Sequence, residues 1–346
     1  MGRSSVIVDE LCDMAARMVA KDKGLLAIDE SNATCNTRFA AHGIAQTSEM
    51  RRAYRELILT TPGLGASISG VILYNETIFQ ATAGGVPFVR VLTDAGIIPG
   101  IKVDVGAQDL ASHPGEKVTE GLDGLRKRLR DYYEIGARFA KWRAVFALDD
   151  SLPTRGCIEA NAQALARYAA HCQEVGLVPI VEPEVLMDGT HGLDRCFAST
   201  EDVLRTVFGH LHAQGVLLEA IILKPNMVLA GTSAPGQPSV EDVAEATLRC
   251  VLRAVPAAVP GIAFLSGGQS PELASARLNA MNLKSRRQAP WPLTFSFARA
   301  IQQPALAIWS GLSENVVAAQ TALEHRVRLN RAARQGRYDP AMEVAA

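Results

Sequence analysis

The sequence predicts an α/β protein built as a single (β/α)8 barrel with extra N-terminal and C-terminal helices. Three observations lead there. Eight apolar runs of strand length recur along the 346 residues. Amphipathic helical stretches separate them at a spacing that suits parallel strands joined by crossovers. The charged residues of the runs collect at their carboxyl ends, where such barrels carry their sites.

In order, the runs are "GLLAIDE" (24–30), "ISGVILY" (68–74), "IIPGIKVD" (97–104) and "RFAKWRAV" (138–145). Then come "LVPIVEPE" (177–184), "EAIILKPN" (219–226), "IAFLSGG" (262–268) and "LTFSFA" (293–298). They are apolar almost throughout, as strands covered on both faces are. Apolar residues at helical spacing mark helices within 48–61, 121–136, 158–176, 199–215 and 239–255. A helical extension over 1–22 precedes the first run. A helix over 313–334 follows the last, and 335–346 is a C-terminal tail. "GTSAPGQPS" (231–239) reads as a loop between elements, not a linker, so residues 1–346 are expected to form one TIM-barrel domain.

Hydrophobic residues make up 48%, charged residues 21%, and the formal net charge is −1. That balance argues against nucleic acid or an anionic membrane as the main partner. The six cysteines form no C-x-x-C pair and are irregularly spaced. No metal or disulfide framework is expected, and the thiols read as reduced in a cytoplasmic protein. No signal-peptide pattern and no apolar stretch of about 18 residues is found, so no membrane span is expected. His210 and His212 are rejected as a metal site, because residues two apart on a helix face nearly opposite ways.

Lysine usage is the sharper observation. Of 35 Lys and Arg only eight are Lys, and Lys102, Lys141 and Lys224 sit in apolar or strand-like runs. A buried lysine is costly unless partnered. Lys224 is the extreme case, after Ala220, Ile221, Ile222 and Leu223 and before Pro225. One charged residue at a strand end is most simply a structural ion pair. That account fails for a whole set on one rim, which includes Asp29, Glu30, Lys102, Asp104, Lys141, Arg143, Glu182, Glu184 and Lys224. A neutral lysine amine attacks carbonyl carbon, and burial beside a second cation favours the neutral form. Lys141 is the natural second cation. Glu182 is the natural proton shuttle for forming and dehydrating a carbinolamine.

"FLSGGQSPEL" (264–273) adds an anion site. Its glycines let backbone N–H groups approach an anion, and a helix is expected to start near Ser270 with Pro271 at its first position. The loops after the seventh and eighth strands of such barrels commonly hold phosphate. Arg299, just past the eighth run, adds a fork of donors. Ser266, Gly267 and Arg299 are therefore expected to bind a phosphate.

The segments "KGLLAIDES", "GVILYNET", "GIKVD", "FAKWR", "VPIVEPE", "LKPNMV", "FLSGGQS" and "LTFSFARA" resemble those of the class I, Schiff-base fructose-bisphosphate aldolases, over about residues 23–338. The resemblance implies that Lys224 attacks the C2 ketone of a phosphorylated ketose and that Glu182 assists dehydration. It implies Asp29 as the base at the C4 hydroxyl, with Lys141 and Arg143 at the reacting centre and Glu184 in support. Ser266, Gly267 and Arg299 match the seat of the C1 phosphate, and Ser31 and Lys102 match positions near the other phosphate. No cofactor and no metal are implied, because the iminium serves as the electron sink; a homotetramer is. Two departures stand out. Ala298 replaces the usual Gly, which implies a reshaped phosphate cradle, and the chain ends "YDPAMEVAA" without the terminal Tyr of animal members. A pyridoxal-phosphate barrel also needs a lysine and a phosphate cradle, and would be yellow. A non-catalytic scaffold would be expected to lack one of Lys224, Glu182, Asp29 or Lys141, and all four are present.

Overall fold

The computed structural model describes residues 5–20, 22–285 and 288–344. Residues 1–4 and 21 of the expected extension, and 345–346 of the expected tail, lie outside these. The strands are β1 (Gly24–Ala27), β2 (Ile68–Leu73), β3 (Ile98–Lys102), β4 (Gly106–Asp109), β5 (Lys117–Glu120), β6 (Phe139–Phe146), β7 (Val178–Val185), β8 (Ile222–Leu223), β9 (Ile262–Phe264) and β10 (Leu293–Phe297). Eight of them close a parallel barrel in the order β1-β2-β3-β6-β7-β8-β9-β10, and β4 and β5 form a separate two-stranded hairpin. The ring closes where β1 pairs with β10, Leu25 opposite Ser296 and Leu26 opposite Phe297.

The strands read as continuous apolar runs because each is buried on both faces. Leu26, Val71, Ile101, Trp142, Val181, Leu223, Phe264 and Phe297 point outward into the layer between barrel and helices. Their neighbours Leu25, Ala27, Ile72, Ile98, Phe139, Val178, Ile180, Ile222 and Ala263 point inward and plug the floor. Phe139 fills so much of that floor that a Cβ on Gly100 would lie 2.1 Å from its ring. The helix Ser5–Met18 closes the floor from below, burying Leu11, Ala15 and Met18 at one-turn spacing.

Every expected helix is present, and Thr47, Thr154 and Ser239 cap three of them with their side chains. Ser239 and Asp242 make a reciprocal capping box at the start of Val240–Ala254, and Pro271 opens Pro271–Ser285. Three features differ from the sequence reading. Leu218–Ala220 turns as a 3-10 helix, so the run 219–226 gives a two-residue β8. Pairing nonetheless carries on, because the Lys224 backbone N–H donates to Val181 O at 2.8 Å. Short helices at Asn32–Ala40, Phe88–Asp94 and Arg299–Trp309 lie in stretches the reading left unassigned. The β4–β5 hairpin, whose turn takes up 111–116, is too short and polar to resemble the barrel strands. No described helix is long and apolar enough to cross a membrane.

Candidate active site

The pleat puts every second residue inside the barrel, so the inward row of each strand runs from floor to mouth. On β6 that row is Phe139, Lys141, Arg143, and on β7 it is Val178, Ile180, Glu182, Glu184. Register then decides the neighbours. Lys102 of β3 lies opposite Lys141, Arg143 lies opposite Glu182, and Ile222 lies opposite Ile180. Lys224, two residues beyond Ile222 on the same face, thus arrives beside Glu182.

At the mouth these rows meet a cleft of about 460 Å³ whose walls include all eleven residues expected from the sequence: Asp29, Ser31, Lys102, Lys141, Arg143, Glu182, Glu184, Lys224, Ser266, Gly267 and Arg299. A row of charges crosses its base. Asp29 Oδ2 is 2.6 Å from Lys141 Nζ, and Lys141 Nζ is 3.1 Å from Glu182 Oε2. Glu182 Oε1 is 3.0 Å from Lys224 Nζ. Lys141, Glu182 and Lys224 are each only 3% exposed. Two lysines therefore balance two carboxylates in a nearly dry setting, with Glu182 between the lysines.

The titration behaviour follows from that row. Burial disfavours the Asp29 carboxylate, but Lys141 and then Lys224 outweigh it and hold the group down to about 2. Burial likewise opposes the Glu182 carboxylate, and Lys141, Lys224 and Arg143 together hold it below its ordinary value. Burial opposes the Lys141 ammonium, yet Asp29 and Glu182 raise it well above the ordinary lysine value. Lys141 is thus held as a cation, and it shares Glu182 with Lys224.

The walls carry further pairs. Lys102 Nζ contacts Asp104 Oδ1 at 2.6 Å, and Arg143 Nε donates to Glu184 Oε2 at 2.5 Å. Asn226 secures the segment after Lys224, accepting from the Val185 backbone N–H and donating to Thr200 Oγ1. In the Ser266-Gly267-Gly268 turn, Gly267 and Gly268 take φ of +57° and +85°, a region side chains resist. A Cβ on Gly268 would be 3.3 Å from Arg299 Nη2, so that guanidinium stands against the turn. Ala298 sits at φ −110°. That φ lies outside the left-handed region in which an alanine would be resisted. Ser31 Oγ caps Asn32–Ala40 by accepting from the Thr34 backbone N–H.

The sequence reading missed Thr34, Arg38 and Tyr74 in the cleft wall, and gave Glu30 and Asp104 no role. Arg38 pairs with Glu30 at 2.6 Å, and Glu30 also meets Arg55 at 3.0 Å. Ser31, Thr34 and Arg38 are spaced to share one helix face, a signal available only once 32–40 is known to be helical.

Comparison with known proteins agrees with the barrel fold. The family described as "Fructose-bisphosphate aldolase class-I" matches residues 10–346. A probable class 1 fructose-bisphosphate aldolase of Xanthomonas campestris is 54% identical over 96% of this chain and 99% of its own length. Cytosolic fructose-bisphosphate aldolase 5 of Arabidopsis thaliana is 50% identical over 95% and 92%. The fold of a Plasmodium falciparum fructose-bisphosphate aldolase, solved in complex with TRAP and an inhibitor, superposes with a TM-score of 0.95 at 46% identity, covering 97% of both chains. These matches leave no place for the pyridoxal reading. The chain belongs to the class I fructose-bisphosphate aldolases, lyases that cleave fructose 1,6-bisphosphate reversibly into dihydroxyacetone phosphate and glyceraldehyde 3-phosphate through a lysine Schiff base.

Proposed function

We propose that Lys224 is the Schiff-base lysine and that the row Asp29, Lys141, Glu182, Lys224 carries out the proton transfers of the cleavage. That row is the observation that carries the reading. Glu182 Oε1, 3.0 Å from Lys224 Nζ, takes the proton the ammonium must lose before attack on the C2 ketone. It then returns a proton to the carbinolamine hydroxyl, which leaves as water and gives the iminium. The iminium accepts the electron pair of the C3–C4 bond as Asp29 removes the C4 hydroxyl proton. An aldehyde departs, and an enamine of dihydroxyacetone phosphate remains on Lys224. Protonation at C3 and hydrolysis free the second product. Lys141, fixed as a cation, stabilises oxyanion character at the reacting centre. Glu184 supports the site by holding Arg143.

Ser266, Gly267 and Arg299 bind the C1 phosphate in this reading. Arg299 supports it by having no ion-pair partner among the described residues, although it opens a helix at the cleft wall. Ser31 and Lys102 face the other phosphate. The names of cytosolic relatives support a cytoplasmic setting, and the family reading carries a homotetramer, which sedimentation of the purified chain tests. The mechanism is tested by reducing the protein with borohydride in the presence of dihydroxyacetone phosphate and mapping the adduct. Lys224 should carry it. An adduct on Lys102 or Lys141 would overturn the assignment.

A further inference from the structure

Four arginines are buried among the described residues: Arg51, Arg55, Arg277 and Arg326. Three of them face a carboxylate, Glu76, Glu30 and Glu343 respectively. Arg277 does not. It is 5% exposed, yet Nη1 donates only to the neutral Gln269 Oε1, at 2.8 Å, and Nε has no hydrogen-bond partner. Burial alone pushes its guanidinium below the ordinary arginine value, with no acid to offset it. An uncompensated buried cation is costly and calls for an explanation.

Its position supplies one. Gln269, itself buried, is the last residue of the turn Ser266-Gly267-Gly268-Gln269. The Gln269 side-chain Nε2 and its backbone N–H both donate to Ser266 O, at 2.8 and 3.1 Å. The amide has two ends, and Arg277 can bond only the oxygen. That bond fixes Nε2 toward the Ser266 carbonyl. A carbonyl so held cannot swing toward the cleft, where it would repel an anion. Arg299 stands on the cleft side of the same turn without an ion pair, and Arg277 stands behind it.

We propose that Arg277 is a positioning residue for the substrate phosphate: through Gln269 it locks the Ser266-Gly267-Gly268 turn in its anion-accepting shape, and it adds a buried charge that the bound phosphate dianion compensates. The inference rests on the phosphate reading of that turn given above. It differs from a packing role in one respect. Without phosphate, the positive charge destabilises the protein. With phosphate, it contributes to binding.

The test measures melting temperature with and without inorganic phosphate, and steady-state cleavage of fructose 1,6-bisphosphate, for Arg277→Met, Arg277→Lys, Arg277→Gln and Arg299→Ala. Arg277→Met should melt at or above the wild-type temperature without phosphate and lose most of the phosphate-induced rise. Its KM should increase at least about fivefold while kcat changes less, because one charge is removed from behind the anion. Arg277→Lys should keep more of the phosphate-induced rise than Arg277→Gln, since it keeps the charge. That pair decides the matter if Arg277→Met does not fold. A lower melting temperature in Arg277→Met with an unchanged phosphate increment would mean packing alone, and equal increments in the Lys and Gln variants would likewise overturn the proposal. Arg299→Ala separates the two readings. If it too keeps the full increment, the phosphate seat itself is misplaced. If it loses the increment while Arg277→Met retains it, only the role of Arg277 falls.

Discussion

At the floor of the barrel β6 points Phe139 inward, and two residues on, at the mouth, it points Lys141. β7 moves in the same way from Ile180 to Glu182, and the segment through β8 from Ile222 to Lys224. The two regions share strands, pleat and register and differ only in what the inward positions carry. The floor is a plug of aliphatic and aromatic side chains, closed below by Leu11, Ala15 and Met18. Its burial contributes to stability in proportion to the apolar area removed from water. The mouth is almost as dry at Lys141, Glu182 and Lys224, but there desolvation costs about as much as the ion pairs return. The difference teaches that the floor holds the fold and the mouth is tolerated by it. Mutations in the two regions should therefore affect opposite observables.

Lys224→Met should give the largest effect. It removes the proposed nucleophile, so cleavage should fall by at least about 10⁴-fold, near the scale seen when a covalent group is deleted. The melting temperature should fall only slightly, because Met keeps the aliphatic stem, Glu182 retains Lys141 as partner, and a proton taken up by a carboxyl offsets the lost charge. Rapid cleavage by this variant would remove the covalent mechanism; a collapse in stability would break the comparison itself.

Phe139→Ala is the converse. It should cost about 3–5 kcal/mol of unfolding free energy, measured by denaturant titration, while kcat/KM of the folded fraction stays within a few-fold. A large catalytic loss at unchanged stability would mean that floor and mouth are not separable.

Arg299→Ala should lower kcat/KM for the bisphosphate at least about tenfold, or about 1.4–3 kcal/mol, through loss of the proposed phosphate fork. Its melting temperature should not fall, since Arg299 anchors no acid among the described residues. Unchanged kcat/KM would take Arg299 out of the site.

A smaller effect concerns acid. Asp29 is held near 2, below its ordinary 3.8. A depressed carboxylate contributes stability that is complete above the unfolded value and is lost as pH falls through the folded one. Wild-type stability should therefore drop by about 2 kcal/mol more than that of Asp29→Asn between pH about 4 and about 2. Identical acid curves for the two proteins would show that Asp29 is not held by Lys141. Excess EDTA should change nothing, because the iminium proposed at Lys224 would supply the electron sink. Activity lost to EDTA and restored by zinc would make the reaction metal-assisted.

Period and burial made the barrel legible. A strand covered on both faces must be apolar along its length, so eight such runs could be counted without coordinates, and a lysine inside one was conspicuous because lysine is costly there. The same reasoning found every residue in the Asp29-to-Lys224 row. It could not find Arg38 or Thr34, whose helix Asn32–Ala40 is short and weakly patterned, nor the β4–β5 hairpin, which is mostly solvent-facing. By itself, then, the sequence determined which residues would be buried and which end of each strand would be charged, since those follow from one chain's own periodicity. Tertiary structure alone decided who pairs with whom. Glu182 lies between Lys141 and Lys224 because three strands meet in one register, and Arg277 has Gln269 where the other buried arginines among the described residues have acids. The first arrangement depends on distances between residues far apart in the chain, and the second on how a turn packs against the helix eight residues on; neither is encoded by the period of a strand or a helix.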